Sequence, residues 1–501
     1  MTAPAAPRID SLEMAVAEEN AVALGVPIDA LMENAGRAVA EEAARRLSAP
    51  PSRVGILVGM GNNGGDAMAA GYYLSQWGYQ AEAWLVRPAT EIRSRASRRC
   101  FERIERRGMI HLRLPRPEEL ANLTMLIDGL LGTGQTGPLR PPYREAVAQA
   151  KASGVPILSI DVPTGISSPD GLRPRWTVAL TALKESMVPE NSGEIIVRDI
   201  GIPADAWLRT GPGEFYFLPR SRGAVQEAGR SARVIVIGGG PYAGAPALAG
   251  LAALRSGAER ATVLTPGSAA LAVQSFSPNL VVRAFGTDHF RPADVPAILE
   301  FIRTAPPRAI VMGMGAGRDP ETVAALAAVL EHLRATTPFV VDADALGALP
   351  SPKAGTIGEP GPGLIATPNA GEYRRYFSGP SDAALSERIE HARRAALDRR
   401  IVLLVKGDPD ILTDGDRTFQ NYHHHPAATV SGVGDVLGGV LGSLLAQGVS
   451  PLHATRLASY WVGEAGIRAA AREGLGLVAT DVIEEVPHAL VGGLSRIERA
   501  A

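Results

Sequence analysis

The run Ser431-Gly432-Val433-Gly434-Asp435 places two glycines and a carboxylate immediately ahead of Val436, Leu437, Val440, Leu441, Leu444 and Leu445, which recur at helical spacing. A glycine turn that opens a buried helix exposes backbone N–H groups at the positive end of the helix dipole, which suits developing phosphate charge. Asp435 beside that cradle is placed to accept a proton from an attacking hydroxyl; the structural alternative is an N-cap. A second glycine turn, Gly59-Met60-Gly61-Asn62-Asn63-Gly64-Gly65-Asp66, follows the apolar run Val54–Val58 and contains G-x-G-x-x-G. A dinucleotide dehydrogenase would need an acidic residue closing the next strand, but Glu82 lies inside that run and Arg87 closes it. Asn62, Asn63 and Asp66 instead supply amide oxygens and a carboxylate suited to a ribose or a hard cation. Asp128 in Asp128-Gly129-Leu130-Leu131-Gly132-Thr133-Gly134 and Asp161 in Ile160-Asp161-Val162-Pro163-Thr164-Gly165 end two further runs. Ligands of an open α/β sheet bind outside the carboxyl ends of its strands, so Asn63, Asp128 and Asp161 are expected to converge on one crevice.

The elements that must position these residues alternate short apolar runs with helical-period segments, the pattern of helices covering both faces of a mainly parallel sheet. In the first half the strands are expected at Val54–Val58, Ala81–Val86, Met125–Asp128, Val155–Asp161 and Thr177–Leu183, with Ile195–Val197 closing the sheet and an amphipathic helix over Ile28–Leu47. A second series is expected at Arg233–Ile237, Ala261–Leu264, Ala309–Met312, Phe339–Asp342, Gly363–Ala366 and Ile401–Val405. Polar Leu218–Arg233, with Pro219 and Gly223, reads as the linker, dividing the chain into domains 1–219 and 220–501. The fold expected is α/β, with two three-layer domains.

Composition narrows the functional classes. The chain has 501 residues, 46% of them apolar and 20% charged, as in a folded α/β protein. A net charge of −2 provides no general attraction for nucleic acid or anionic lipid, and the arginines of Arg93–Arg107 are interrupted by Glu102 and Glu105, as on a solvated helix face. A single cysteine, Cys100, rules out an internal disulfide framework. With no signal core, transit pattern or long apolar run, a cytoplasmic location and small-molecule partners are expected, with no nucleic acid or membrane. His423-His424-His425 raises a transition-metal reading, but adjacent residues of an extended loop point to opposite sides.

Leu31-Met32-Glu33-Asn34-Ala35-Gly36-Arg37, Asn62-Asn63-Gly64-Gly65-Asp66, the Asp128 loop and Asp161-Val162-Pro163-Thr164-Gly165 together resemble the NAD(P)H-hydrate epimerase domain, in family order. That resemblance implies a Rossmann-like domain that interconverts the R and S forms of C6-hydrated nicotinamide cofactors. It implies one potassium ion held by Asn63, Asp128 and Thr164, substrate contacts from Asn62 to Asp66, from Gly132, Thr133 and Gly134, and Asp161 as acid/base and substrate contact. Ala67 stands where the family usually has Gly, which a helical position would accept and a left-handed one would not.

The second half carries Arg233–Gly240 leading into Pro241–Ala247, then Gly313–Gly317, Asp342-Ala343-Asp344, Thr367–Glu372 and Lys406-Gly407, each after an expected strand. No G-x-x-x-x-G-K-[ST] occurs, which excludes a P-loop mechanism. With Ser431–Asp435 these motifs resemble the ribokinase-like fold, specifically its ADP-dependent (S)-NAD(P)H-hydrate dehydratase branch. The resemblance implies hydrate contacts at Ala245, Gly317, Asn369 and Asp435. It implies nucleotide contacts at Lys406, Gly407 and the loop from His425 to Gly432, Val433 and Gly434, with Mg2+ accompanying the phosphates of ADP or ATP. Many relatives have His at Asn369, Gly-Pro-Gly-Leu-Gly over Gly313–Gly317 and Gly-Thr-Gly-Asp over Gly432–Asp435.

The reading is therefore a fused metabolite-repair enzyme, expected as a homo-oligomer, acting on NADHX and NADPHX at the expense of ADP or ATP. Two others use the same residues: a small-molecule kinase in the second half, since fold and base serve either task, and a non-catalytic binding module in the first.

Overall fold

The computed structural model describes residues 8–134, 137–219, 231–350, 363–380 and 383–500. The chain forms two compact units, Met1–Ala206 with Ile497–Ala501, and Trp207–Arg496.

The first unit is built on a seven-stranded, all-parallel sheet in the order Ile110–His111, Gln80–Leu85, Arg53–Val58, Met125–Gly129, Ile157–Ile160, Trp176–Leu180, Glu194–Arg198. Its central strands are apolar without alternation because both faces are covered; Ile56, Leu57, Leu126, Ile127 and Leu158 are fully buried. The strand order reverses between Arg53–Val58 and Met125–Gly129, so the loops after these two strands diverge and leave a crevice at the switch point. The Asn62–Gln76 helix starts there. Ala67 is a buried residue within that helix, so its Cβ is sterically free of the left-handed penalty. Its methyl group occupies the space that a Cβ on Gly129 would need.

Thr177–Leu183, expected as one strand, is broken: Thr181 has φ +64, and Leu183–Lys184 instead pairs in parallel with Arg8–Ile9 as a separate two-stranded sheet. From Asp10, which caps it through Glu13 N, the helix Ser11–Ala23 then runs. The arginine-rich segment is a helix, Arg95–Glu105, that buries Cys100, Phe101 and Ile104 and pairs Arg99 with Asp29 and Arg103 with Glu33. Burial pushes the Cys100 thiol up to about 12.

The second unit has a nine-stranded sheet in the order Val281–Ala284, Arg260–Thr265, Arg233–Ile237, Ala309–Met312, Phe339–Val341, Leu364–Ala366, Val402–Val405, Asp410–Thr413, Thr418–Asn421. The first seven strands are parallel and the last two form an antiparallel hairpin. The switch point lies between Arg233–Ile237 and Ala309–Met312, where Gly239 N donates to Met314 O at 2.8 Å and joins the two glycine loops.

The division between the units differs from the expected Pro219. The segment Trp207–Leu218 belongs to the second unit because its side chains complete that core. Phe215 packs edge-on against Tyr460 and Trp461, and the fully buried Glu214 carboxylate meets the Arg456 guanidinium at 3.0 Å. Residues 220–230 of the expected linker lie outside the described residues, and its last residue, Arg233, begins the Arg233–Ile237 strand. Glu214→Ala withdraws the carboxylate from a buried cation and is expected to cost the second unit about 3–5 kcal/mol. Calorimetry would register this as a lower melting midpoint for that unit's transition alone.

Candidate functional site

In the first unit the sequence-expected residues separate into two neighbouring groups. One centres on Asp128, fully buried at the end of its strand. Its Oδ1 accepts from Thr164 Oγ1 at 2.6 Å, and its Oδ2 accepts from Thr164 N at 2.9 Å and Ser159 Oγ at 2.8 Å. Burial raises the Asp128 carboxyl above its ordinary range, against the opposing pull of the Thr164 and Ser159 bonds. Asn63, in the first turn of its helix, packs against the loop that Asp128 begins: a Cβ on Gly132 would lie 3.5 Å from Asn63 Cγ. Both side-chain polar atoms of Asn63 are shielded from solvent and have no hydrogen-bond partner. The approach depends on Gly64, because a Cβ there would run into the Gly59 carbonyl.

The other group centres on Asp161, which holds a left-handed backbone at φ +62, a conformation that Asp adopts more readily than most residues. Asp161 Oδ1 contacts Lys184 Nζ and accepts from Leu180 N at 3.3 Å. Lys184 also donates to Leu180 O at 2.8 Å and is almost wholly buried. Two more carboxyls face this pair electrostatically. Glu18, on the Ser11–Ala23 helix, is pushed up to about 7, chiefly by burial and then by the Asp161 charge. Asp66 is raised well above its ordinary value by burial, Glu18 and Asp161. Asp66 thus belongs with Asp161, whereas Asn63 belongs with Asp128. Sequence reading missed Glu18 and Lys184, whose partners are distant in the chain. Glu82, weighed for a dehydrogenase, instead pairs with Arg53 at 2.8 Å and His111 at 3.3 Å.

In the second unit a cavity of about 760 Å³ is lined by Asn369, Lys406, Gly407, His425 and the whole run Val430–Asp435. The Val433–Ala446 helix opens at Gly432, whose φ of +95 turns the chain into it. A Cβ on Gly434 would lie 3.2 Å from Lys406 Nζ, so glycine lets that ammonium stand against the helix N-terminus. Lys406 Nζ donates to both oxygens of buried Asp342 at 3.0 Å. Burial works against the Lys406 charge, yet Asp342 and Glu372 hold its pKa above the ordinary value. Asp435 is pushed up to about 7 by burial and by Asp342, with Lys406 opposing. A cationic ammonium, a helix N-terminus and a carboxyl poised near neutrality can together bind an anionic phosphate and take a proton beside it.

Asn369 caps the Ala370–Phe377 helix through Glu372 N at 3.0 Å, with Glu372 returning to Asn369 N at 2.9 Å. Ala245 and Gly317 are not among the cavity-lining residues. Ala245 lies in the first turn of the Gly244–Arg255 helix that follows the Arg233–Ile237 strand, and Gly317 lies on the loop after Ala309–Met312, where its N donates to Asp344 Oδ2 at 2.9 Å. Among missed lining residues are Asp410 and Asn421 of the hairpin, joined through Ser459 Oγ at 2.8 and 2.7 Å. The Asp414-Gly415 turn between its strands is a hairpin signal that reading could have used. The three histidines diverge: His423 bonds Glu464 at 2.8 Å, His424 approaches Asp408 at 3.6 Å, and His425 accepts from Ala427 N. Among the described residues the triplet is not part of any carboxylate–imidazole cluster with metal-ligand spacing.

Two α/β units, each gathering carboxylates and glycine loops at the carboxyl edge of its parallel sheet, define a two-site enzyme. Residues 234–488 match the NAD(P)H-hydrate dehydratase family and residues 28–186 the YjeF-related protein N-terminus. The bifunctional NAD(P)H-hydrate repair enzyme Nnr of Hyperthermus butylicus is 35% identical, covering 96% of this chain and 92% of its own length. That of Methanothermobacter thermautotrophicus is 34% identical, covering 96% and 95%. The chain belongs to the family of bifunctional NAD(P)H-hydrate repair enzymes. A solved structure, the ADP/ATP-dependent NAD(P)H-hydrate dehydratase from Bacillus subtilis, is 21% identical with a TM-score of 0.47, covering 57% of this chain and 99% of that one.

Proposed function

We propose that the first unit interconverts the R and S forms of C6-hydrated NADH and NADPH, and that the second dehydrates the S form using ADP or ATP. The observation that carries this reading is the meeting of Asp435, Lys406 and the glycine-opened helix in one cavity, on a chain that also bears the Asp128 and Asp161 groups.

In the first unit the ring-nitrogen lone pair expels the C6 hydroxyl, which takes up a proton and leaves as water. Water then returns to the opposite face, and Asp161 carries the proton in each direction. In the second, Asp435 accepts the proton of the C6 hydroxyl as its oxygen attacks the terminal phosphorus of the nucleotide, which departs as AMP or ADP. Phosphate then leaves C6 as the ring nitrogen supplies electrons, and loss of the C5 proton restores the dihydronicotinamide. Lys406 and the amides from Gly432 to Gly434 offset the charge of the transferring group. Mg2+ is expected with the nucleotide phosphates.

Asn63 Oδ1, the Asp128 carboxylate and Thr164 Oγ1 form an all-oxygen donor set, and the unpartnered Asn63 amide fits a potassium ion held there. Such an ion would supply a fixed positive charge to the Asp128 group. Asn63→Ala is expected to weaken potassium binding by about tenfold or more, read as a higher potassium concentration for half-maximal thermal stabilisation.

A coupled assay on mixed R and S hydrates tests the whole reading. Consumption of both epimers with release of NAD(P)H is expected. Loss of the S form alone would remove the epimerase, and a phosphorylated product that persists would make the second unit an ordinary kinase.

A further inference from the structure

We propose that Lys184 is a positioning residue for Asp161: among three clustered carboxyls it holds and aims the one it pairs with. The inference rests on the epimerase reading of the first unit. Three acidic groups from three elements face one ammonium: Glu18 from the Ser11–Ala23 helix, Asp66 from the Asn62–Gln76 helix, and Asp161 from the loop after Ile157–Ile160. Among the described residues, Asp161 is the carboxylate that forms a direct ion pair with it. Three carboxylates around one cation in a buried place leave excess negative charge, which protonation of two of them relieves. The ammonium therefore favours, by its placement, the carboxylate it pairs with.

That placement is built in. Leu180 O holds Lys184 Nζ at 2.8 Å, and Leu180 N holds Asp161 Oδ1 at 3.3 Å, so one residue fixes both partners. Pairing of Lys184 with Ile9, together with the bond from Glu185 N to Ile9 O at 2.9 Å, anchors the lysine's own strand. The same Arg8–Ile9 strand leads directly into the helix that bears Glu18. Among the described residues no hydrogen bond reaches Asp161 Oδ2, which leaves that oxygen for the substrate.

The test compares wild type, Lys184→Met and Lys184→Arg in the full chain, following R-to-S conversion across pH. Melting of the first unit's transition reports its folding, and dehydration of pure S hydrate reports that the second unit is intact. Lys184→Met is expected to lower kcat by about 100-fold or more with little change in KM. Its acid limb should move up by about one pH unit or more, since an adjacent cation depresses a carboxyl by that much. Lys184→Arg should return the limb towards its wild-type position. If Lys184→Met fails to fold, Lys184→Gln, whose amide keeps a donor for Leu180 O, carries the same criteria. A folded, charge-removed variant with the wild-type limb overturns the proposal, as does a fall in kcat without any shift. Absence of interconversion in the wild type overturns the epimerase reading itself, a result separable from either.

Discussion

Asp435→Asn is expected to lower NAD(P)H release from S hydrate by about 10²–10⁴-fold while leaving epimerisation at its wild-type rate. The substitution keeps the size of the side chain and the helix-end cradle but removes the oxygen able to take the hydroxyl proton. The wild-type pH profile carries the same assignment. Burial, reinforced by Asp342, pushes the Asp435 carboxyl up to about 7. A base works only when unprotonated, so below that value the rate should rise about tenfold per pH unit and level off above it. The shape excludes an acid role, which would give the opposite slope. A profile flat through neutrality, or an asparagine variant with undiminished turnover, would remove Asp435 as the base.

The counterpart in the first unit is Asp161→Asn, expected to slow R-to-S conversion by about 10²–10⁴-fold with dehydration of pure S hydrate intact. On a mixed sample the variant should consume the S epimer and leave the R epimer behind, visible when the two are separated by chromatography. Because Asp161 contacts buried Lys184, the neutral amide also removes that ammonium's direct ion pair, and part of the effect will appear as lower stability. Melting measured alongside separates the two contributions. An Asp161→Asn protein that still equilibrates the epimers at the wild-type rate would transfer the proton to another group, with Glu18 nearest in charge coupling.

The core strands were readable because a sheet covered on both faces demands uninterrupted apolar runs, and Val54–Val58, Ala309–Met312 and Arg233–Ile237 show them. Asp128, Asp161, Lys406 and Asp435 were equally visible, since each ends a strand or starts a helix, where such a fold presents its ligands. Other features were hidden for physical reasons. Lys184 lies in a two-residue strand, too short for periodicity, and its burial depends on pairing with Arg8–Ile9 far away in the chain. Glu18 sits on a helix whose polar residues carry no sign of which will be covered. Thr181 breaks what reads as a continuous β-branched and apolar run, because a left-handed backbone at a threonine is imposed by tertiary contacts and not by local preference. The hairpin strands Asp410–Thr413 and Thr418–Asn421 alternate too briefly to stand out, although the Asp414-Gly415 turn between them is a usable signal.

The packing of Trp207–Leu218 has a practical meaning for anyone dividing this chain into separately expressed halves. A fragment starting at the polar stretch after Pro219 would appear natural on composition, yet it would discard Phe215 from beside Tyr460 and Trp461, and Glu214 from beside Arg456. The vacated aromatic pocket would be an exposed sticky surface, and poor solubility of such a fragment would say nothing about whether its catalytic loops were sound. A dehydratase fragment should begin at or before Trp207.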